Sequence, residues 1–165
     1  MSGRALSMEK PPSRVAVPPA SQRFVDDYLG YLLGQANHAL FKNFDEAVRA
    51  AGLGSLEWRV LAVLNQQPPM SMGQLAHEVL SQQPTVTKLV QRLAAQDWVA
   101  LRDDPTDQRR TLVAITPMGQ KKVTPLIRQA RAHEARALAG MSEAEVQRLK
   151  RQLRQLAADS PARRR

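Results

Sequence analysis

The sequence predicts a mainly α-helical chain with one small β-hairpin in its second half. Three observations predict it. Apolar residues recur at every third or fourth position through most of residues 23–157. Helix start and stop residues punctuate that pattern. Between Trp98 and Ile115 the spacing of apolar residues changes to two.

Residues 1–20 hold Pro11, Pro12, Pro18 and Pro19 without amphipathic period, and read as a disordered or polyproline-like arm. From Arg23 to about Ala51, Phe24, Tyr28, Leu32, Leu40, Phe44 and Val48 fall near helical spacing. That helix stops at Ala51-Gly52, because glycine takes the left-handed conformation that closes a helix end. Ser55 is the expected cap of the next helix, whose apolar residues are Leu56, Trp58, Val60, Leu61, Val63 and Leu64. Pro68-Pro69 stops it. Ser71 and Gln74 stand at capping-box spacing ahead of a short helix that buries Leu75, Ala76 and Val79. After a minimal turn, Ser81 is the expected cap of a further helix with the apolar stripe Val86, Leu89, Val90 and Leu93. Pro84 falls in its first turn, where a missing N–H costs nothing. This helix ends near Asp97.

Trp98 to Arg102 and Thr111 to Ile115 then read as two strands joined by a polar loop, Asp103 to Arg110. Thr116 caps a helix with Pro117 at its first position, running to about Ala139. Pro125 cannot donate to the helical ladder, so a kink or break is expected near Val123-Thr124. Ser142 and Glu145 form a second capping box, and Val146, Leu149, Leu153 and Leu156 give the last helix its stripe. The chain thus divides into an arm (1–20), one domain (21–160) and a basic tail (161–165).

Composition limits the chemistry. The 165 residues contain no cysteine, which removes thiol catalysis, disulfide scaffolds and Cys-ligated zinc. No apolar run approaches the ~20 residues of a membrane helix, and no apolar stretch follows the basic residues Arg4 and Lys10. A soluble, cytoplasmic protein without a membrane partner is expected. The net charge is +9, of which residues 1–20 carry +2 and Arg163, Arg164 and Arg165 carry +3. A basic balance suits nucleic acid, but basic tails are also ordinary solvated tails. There is no Gly-rich phosphate loop, His-Glu metal spacing or nucleophile elbow, so no enzyme and no cofactor are expected. His38, His77 and His133 lie far apart in sequence, and no metal site is expected.

Two helices joined by a short turn, the second polar on one face, resemble a helix-turn-helix, and the hairpin after them makes a winged helix. The exposed face of the second helix is Ser81, Gln82, Gln83, Pro84, Thr85, Thr87, Lys88, Gln91 and Arg92, without one acid. An ordinary solvated helix mixes Glu with Lys for i,i+4 pairing. Here glutamine suits adenine, threonine suits a thymine methyl, and Lys88 and Arg92 suit phosphate or guanine. The alternative is a winged-helix protein-interaction module without specific DNA binding; an acidic or apolar face would have favoured it.

In order and spacing these pieces resemble the MarR family of transcriptional regulators over about residues 23–157. The carrying residues are Leu53 to Leu61, Leu75-Ala76, Ser81 to Val90, the wing segment Arg102 to Arg110, and the closing Ile115-Thr116-Pro117-Met118-Gly119. The resemblance implies a winged helix-turn-helix at about 55–116. It also implies dimerisation helices at about 23–51 and 117–157, hence a homodimer, and double-stranded DNA as partner. The family usually has Gly where Asp97 stands. Its wing Asp-Arg-Arg appears as Asp107-Gln108-Arg109-Arg110, which implies a minor-groove arginine at Arg109, with Arg110 open as the alternative and Asp107 as orienting carboxylate. The implied function is a repressor released from a pseudo-palindromic operator by a small aromatic or phenolic acid. Candidate ligand residues are Tyr28, Tyr31, His38, Trp58 and Arg59, which offer aromatic walls, a cation and donors. Each of them also reads as an ordinary core or helix-surface residue.

Overall fold

A computed structural model describes residues 23–159; the proline-rich arm and the basic tail lie outside them. The described residues fall in two compact units, one ending at Asn37 and one beginning at His38. The elements are α1 (Phe24–Asp27), α2 (Leu29–Ala50), α3 (Ser55–Leu64), β1 (Met70–Ser71), α4 (Met72–Glu78) and α5 (Gln83–Ala95). After them come β2 (Val99–Asp104), β3 (Asp107–Ile115), α6 (Pro117–Ala137) and α7 (Glu143–Asp159).

The single helix expected from Arg23 is two pieces. Tyr28 is extended between them, and its ring stacks on Phe24 with centroids 4.7 Å apart. The i,i+4 spacing that suggested one continuous helix serves this stack instead. At the other end α2 stops as expected. Gly52 sits at φ +73°, its N–H donates to Arg49 C=O, and the Leu53 N–H reaches Val48 C=O at 3.1 Å. That pair of bonds satisfies the last carbonyls and turns the chain sharply.

The same closure recurs twice without glycine. Leu80 (φ 52°) and Asp97 (φ 56°) end α4 and α5 in the left-handed region. Ser81 N–H donates to Ala76 C=O and Trp98 N–H to Leu93 C=O, each at 3.0 Å. Ser81 thus belongs to the end of α4 through its N–H, and Gln82 rather than Ser81 is the N-cap of α5. Similarly Gly54, not Ser55, precedes α3, with its N–H donated to the Glu57 carboxylate at 2.6 Å. The Ser71–Gln74 and Ser142–Glu145 capping boxes form as their spacing requires.

The hairpin is longer than expected and has a third strand. Asp103 and Asp104, assigned to a loop by their polarity, pair in the ladder, so only Pro105 and Thr106 turn the chain. The sheet order is β1-β3-β2, antiparallel throughout. Two residues of β1 carry no readable period, which is why that strand was not expected. Thr116 caps α6 by accepting the Gly119 N–H at 3.0 Å. A side chain at Gly119 would collide with the Trp98 carbonyl, so glycine lets α6 start flush against the base of the wing. Helix α6 runs unbroken through Pro125. Pro125 is exposed, so the Lys121 carbonyl it leaves without a donor is open to water.

The core runs from Phe44 to Leu126 and includes Val60, Leu61, Leu75, Val86, Val90, Leu93, Val113 and Val123, all fully buried. It wraps α5 from behind and holds its opposite face to solvent. No described side chain of α7 is buried. Among the described residues no helix is long and apolar enough to cross a membrane.

Candidate nucleic-acid interface

Helix α5 buries Val86, Leu89, Val90 and Leu93 and so fixes which face it turns outward. Gln82, Gln83, Pro84, Thr85, Lys88, Gln91 and Arg92 are exposed, and Ser81 and Thr87 are half-buried. Thr87 donates its hydroxyl to the Gln83 carbonyl at 2.9 Å, leaving the oxygen as an acceptor beside the methyl group. The exposed face therefore offers amides, a lysine and threonine methyls, the groups that can meet base edges and phosphates.

The wing is shaped by a step in register. Asp103 lies opposite Thr111, while Asp104 lies opposite Asp107, so residues 108–110 fall outside the regular pairing. A bulge re-aims side chains that strict alternation would send to opposite faces. Arg109 and Arg110 accordingly line one cleft together, of about 540 Å³. Gln83, Thr87 and Gln91 of α5 form its far wall. Ser71, Met72, Gly73, Leu101 and Thr111 complete it, and none of these five was among the residues expected from sequence. Their contribution depends on β1 and on the register step, which residue types do not announce.

Two carboxylates shape the wing tip. Asp107 accepts the Arg109 backbone N–H at 3.0 Å, so among the described contacts it positions the main chain at Arg109. Asp104 is buried and accepts both the hydroxyl and the N–H of Thr106, at 2.6 and 2.9 Å. The Thr106 hydroxyl and then its amide hold the Asp104 carboxyl below its ordinary range, and the charge of Arg110 adds to this. Two exposed basic residues are tied to protein groups. Arg92 pairs with Glu57 at 2.9 Å, and Arg59 donates to the Val79 carbonyl at 2.9 Å, tying α3 to the end of α4.

A separate cavity of about 280 Å³ lies between α2, α3 and α6. Leu40, Phe41, Phe44, Trp58 and Ala130 wall it, with Arg131, His133 and Glu134 at its polar side. Phe44 meets the Trp58 ring edge-on, with centroids 5.0 Å apart. Trp58 is thus the one sequence-selected ligand candidate that lines this cavity. His38 is exposed on α2, and Tyr28 and Tyr31 belong to the unit ending at Asn37. Arg131 and His133 were not among the expected ligand residues, because only the packing of α6 against α2 and α3 brings them to Trp58. Among the described residues no cluster of three His, Cys, Asp or Glu could hold a metal ion.

The sequence pattern of the MarR family matches residues 51–110. The HTH-type transcriptional repressor IacR of Pseudomonas putida is 30% identical over 136 residues, which make up 82% of this chain and 81% of IacR. The crystal structure of the MarR family transcriptional regulator SPO1453 from Silicibacter pomeroyi DSS-3 is similar, with a TM-score of 0.73 and 34% identity. It covers 83% of this chain and 98% of that one. Bordetella bronchiseptica BpsR, whose DNA binding is regulated by 6-hydroxynicotinic acid, has a TM-score of 0.70 at 26% identity, over 84% of this chain and 98% of its own.

Proposed function

The chain belongs to the MarR family of winged-helix transcriptional regulators, and on that premise we propose that it is a dimeric, sequence-specific repressor released from a pseudo-palindromic operator by a small aromatic or phenolic acid. The observation that carries the DNA-binding part is the cleft shared by Gln83, Thr87 and Gln91 of α5 with Arg109 and Arg110 of the wing. The first set suits base edges in the major groove, and a guanidinium at the wing tip suits the narrow, negative minor groove. The acid-free outer face of α5, including Ser81, Gln82, Thr85 and Lys88, supports the same reading.

The dimer is supported by what one chain leaves uncovered. Leu149, Leu153 and Leu156 recur at i, i+4 and i+7 on α7, and each is more than a third exposed. Leu29, Leu32 and Leu33 are likewise exposed on α2. An uncovered apolar stripe along a helix marks an association face. Two reading heads held by it meet successive major grooves on one side of the duplex, roughly 34–36 Å apart.

The effector reading is supported by the cavity beside Trp58. Ligand pockets span about 300–1,000 Å³, and a volume near 280 Å³ suits a single aromatic ring. Arg131 and His133 are the groups suited to a carboxylate or phenolate there. Relatives include a repressor and a regulator controlled by a hydroxylated aromatic acid. Footprinting on the DNA upstream of its own reading frame, with and without single-ring aromatic acids, tests the whole proposal. Protection of two half-sites one helical turn apart is expected, lost on adding an acid that also raises the melting temperature. A single asymmetric site protected by one chain would overturn it.

A further inference from the structure

We propose that Glu57 is a positioning residue that withholds Arg92 from the DNA backbone and thereby raises discrimination between cognate and unrelated DNA. The proposal rests on the DNA-binding reading above. Arg92 stands on α5 one turn beyond Lys88, and both side chains line a cleft of about 380 Å³ with Gly54, Leu56 and Thr85. The two cations differ in what they meet. Arg92 Nη2 donates to Glu57 Oε1 at 2.9 Å, whereas among the described residues no carboxylate pairs with Lys88.

The Glu57 carboxylate is held in place independently of Arg92. Its other oxygen, Oε2, takes the Gly54 N–H at 2.6 Å at the start of α3, and the side chain is only 14% exposed. Arg92 is 63% exposed, long and flexible. The fixed partner is therefore the acid, and the arginine must leave it to reach a phosphate. Each phosphate contact adds affinity for every DNA sequence alike, together with a salt dependence of about −0.9 in log–log slope. Between Ala51 and Thr116 there are as many acidic as basic residues, so this reading head carries no surplus charge to spread over unrelated DNA. Pairing Arg92 with Glu57 is part of that balance. It leaves Lys88 and the wing arginines as the cations open to phosphate on this side of the fold.

The test compares the wild-type protein with Glu57→Gln and with the double variant Glu57→Gln, Arg92→Ala. Glutamine keeps an acceptor for the Gly54 N–H but loses the charge that holds Arg92. Affinity is measured on cognate and scrambled duplexes over a salt series, and melting temperatures are recorded alongside. Expected for Glu57→Gln is about threefold tighter binding to the scrambled duplex at low salt and a slope steeper by about 0.9. The ratio of cognate to scrambled affinity should narrow, and the double variant should return to the wild-type slope. Elution from a heparin column provides an arm that needs no operator: Glu57→Gln should elute at higher salt than wild type, and the double variant should not. An unchanged slope and elution in Glu57→Gln would overturn the proposal. So would a gain that persists in the double variant, or equal weakening on both duplexes with a lowered melting temperature, which is the signature of a purely structural strut. Failure of the wild-type protein to prefer any duplex, with the heparin shift intact, would count against the DNA-binding reading and not against the Glu57–Arg92 restraint.

Discussion

The reading head from α3 to β3 and the last helix α7 solve the problem of apolar surface in opposite ways. In the head, Leu61, Leu64, Leu75 and Leu93 are almost entirely removed from water within one chain. In α7, Leu149, Leu153 and Leu156 are between 38% and 48% exposed, although they repeat with the same regularity. Regular spacing alone therefore does not distinguish a helix that completes its own core from one that needs another surface. What distinguishes them is a third layer. The small sheet and the helices α3, α4 and α6 share one buried core with α5, whereas α7 has Lys150 paired to Glu134 of α6 and no buried side chain among the described residues. The head holds one face still, and the proposed dimer would cover the end.

The largest effect should come from spoiling the uncovered helix. Leu153→Glu is expected to leave the head folded, to give a single-chain species in sedimentation, and to weaken operator binding by about 10²-fold or more as two-site avidity is lost. A Leu153→Glu protein that still sediments as a dimer would show that α7 is not the association face. Inside the head, Leu61→Ala should cost about 2–5 kcal/mol in denaturant unfolding, at any protein concentration. Leu153→Ala should show its cost chiefly as a melting temperature that depends on concentration. Equal, concentration-independent losses at both sites would mean that the two helices are not different in kind.

Smaller changes sharpen the contrast within the head. Leu80 ends α4 at φ 52° and is 85% exposed, so it carries a left-handed backbone without packing to offset it. Leu80→Gly is expected to raise stability by about 0.5–1 kcal/mol, since the relief of ~1–2 kcal/mol exceeds glycine's entropic cost. A loss would show that the turn is held by contacts of the leucine side chain. The wing tip should respond to acid. Thr106 holds the Asp104 carboxyl below its ordinary value of 3.8. A depressed native value stabilises the turn above pH 3.8, and that stabilisation disappears as pH falls through the lowered native value. Protection of the Thr106 amide from exchange should therefore persist at pH 4, fall on further acidification, and be weak at every pH in Asp104→Asn. Protection that ignores both pH and the substitution would show that Asp104 does not hold the turn.

Much of the fold was legible because local chemistry and tertiary packing agree. The Gly52 closure, the Ser71 and Ser142 capping boxes, the Thr116 cap and the stripe of α5 are all short-range signals, and each appears where its residues stand. Expectations failed where a residue serves two neighbours. Ser81 gives its N–H to the end of α4 while Gln82 takes the cap position of α5, and Asp103 and Asp104 are polar yet paired in a ladder. The exposed face of α5 followed from its apolar stripe. The register step that turns Arg109 and Arg110 to one side did not, because a bulge leaves no periodic mark. Arg131 and His133 beside Trp58 became visible only when α6 was laid against α2 and α3.

We propose that α5 discriminates bases while the wing supplies a charge that is largely indifferent to sequence. This division is tested most directly by titrating Gln83→Ala, Arg109→Ala and Arg110→Ala on cognate and scrambled duplexes across a salt series. Gln83→Ala should cost about 1–3 kcal/mol on the cognate duplex, relax preference at one or two base pairs and leave the salt slope unchanged. Substitution of the wing arginines should weaken both duplexes more evenly, with at least one of the two reducing the slope by about 1. Unchanged affinity and slope in both wing variants, or equal weakening of both duplexes by Gln83→Ala, would contradict the claim.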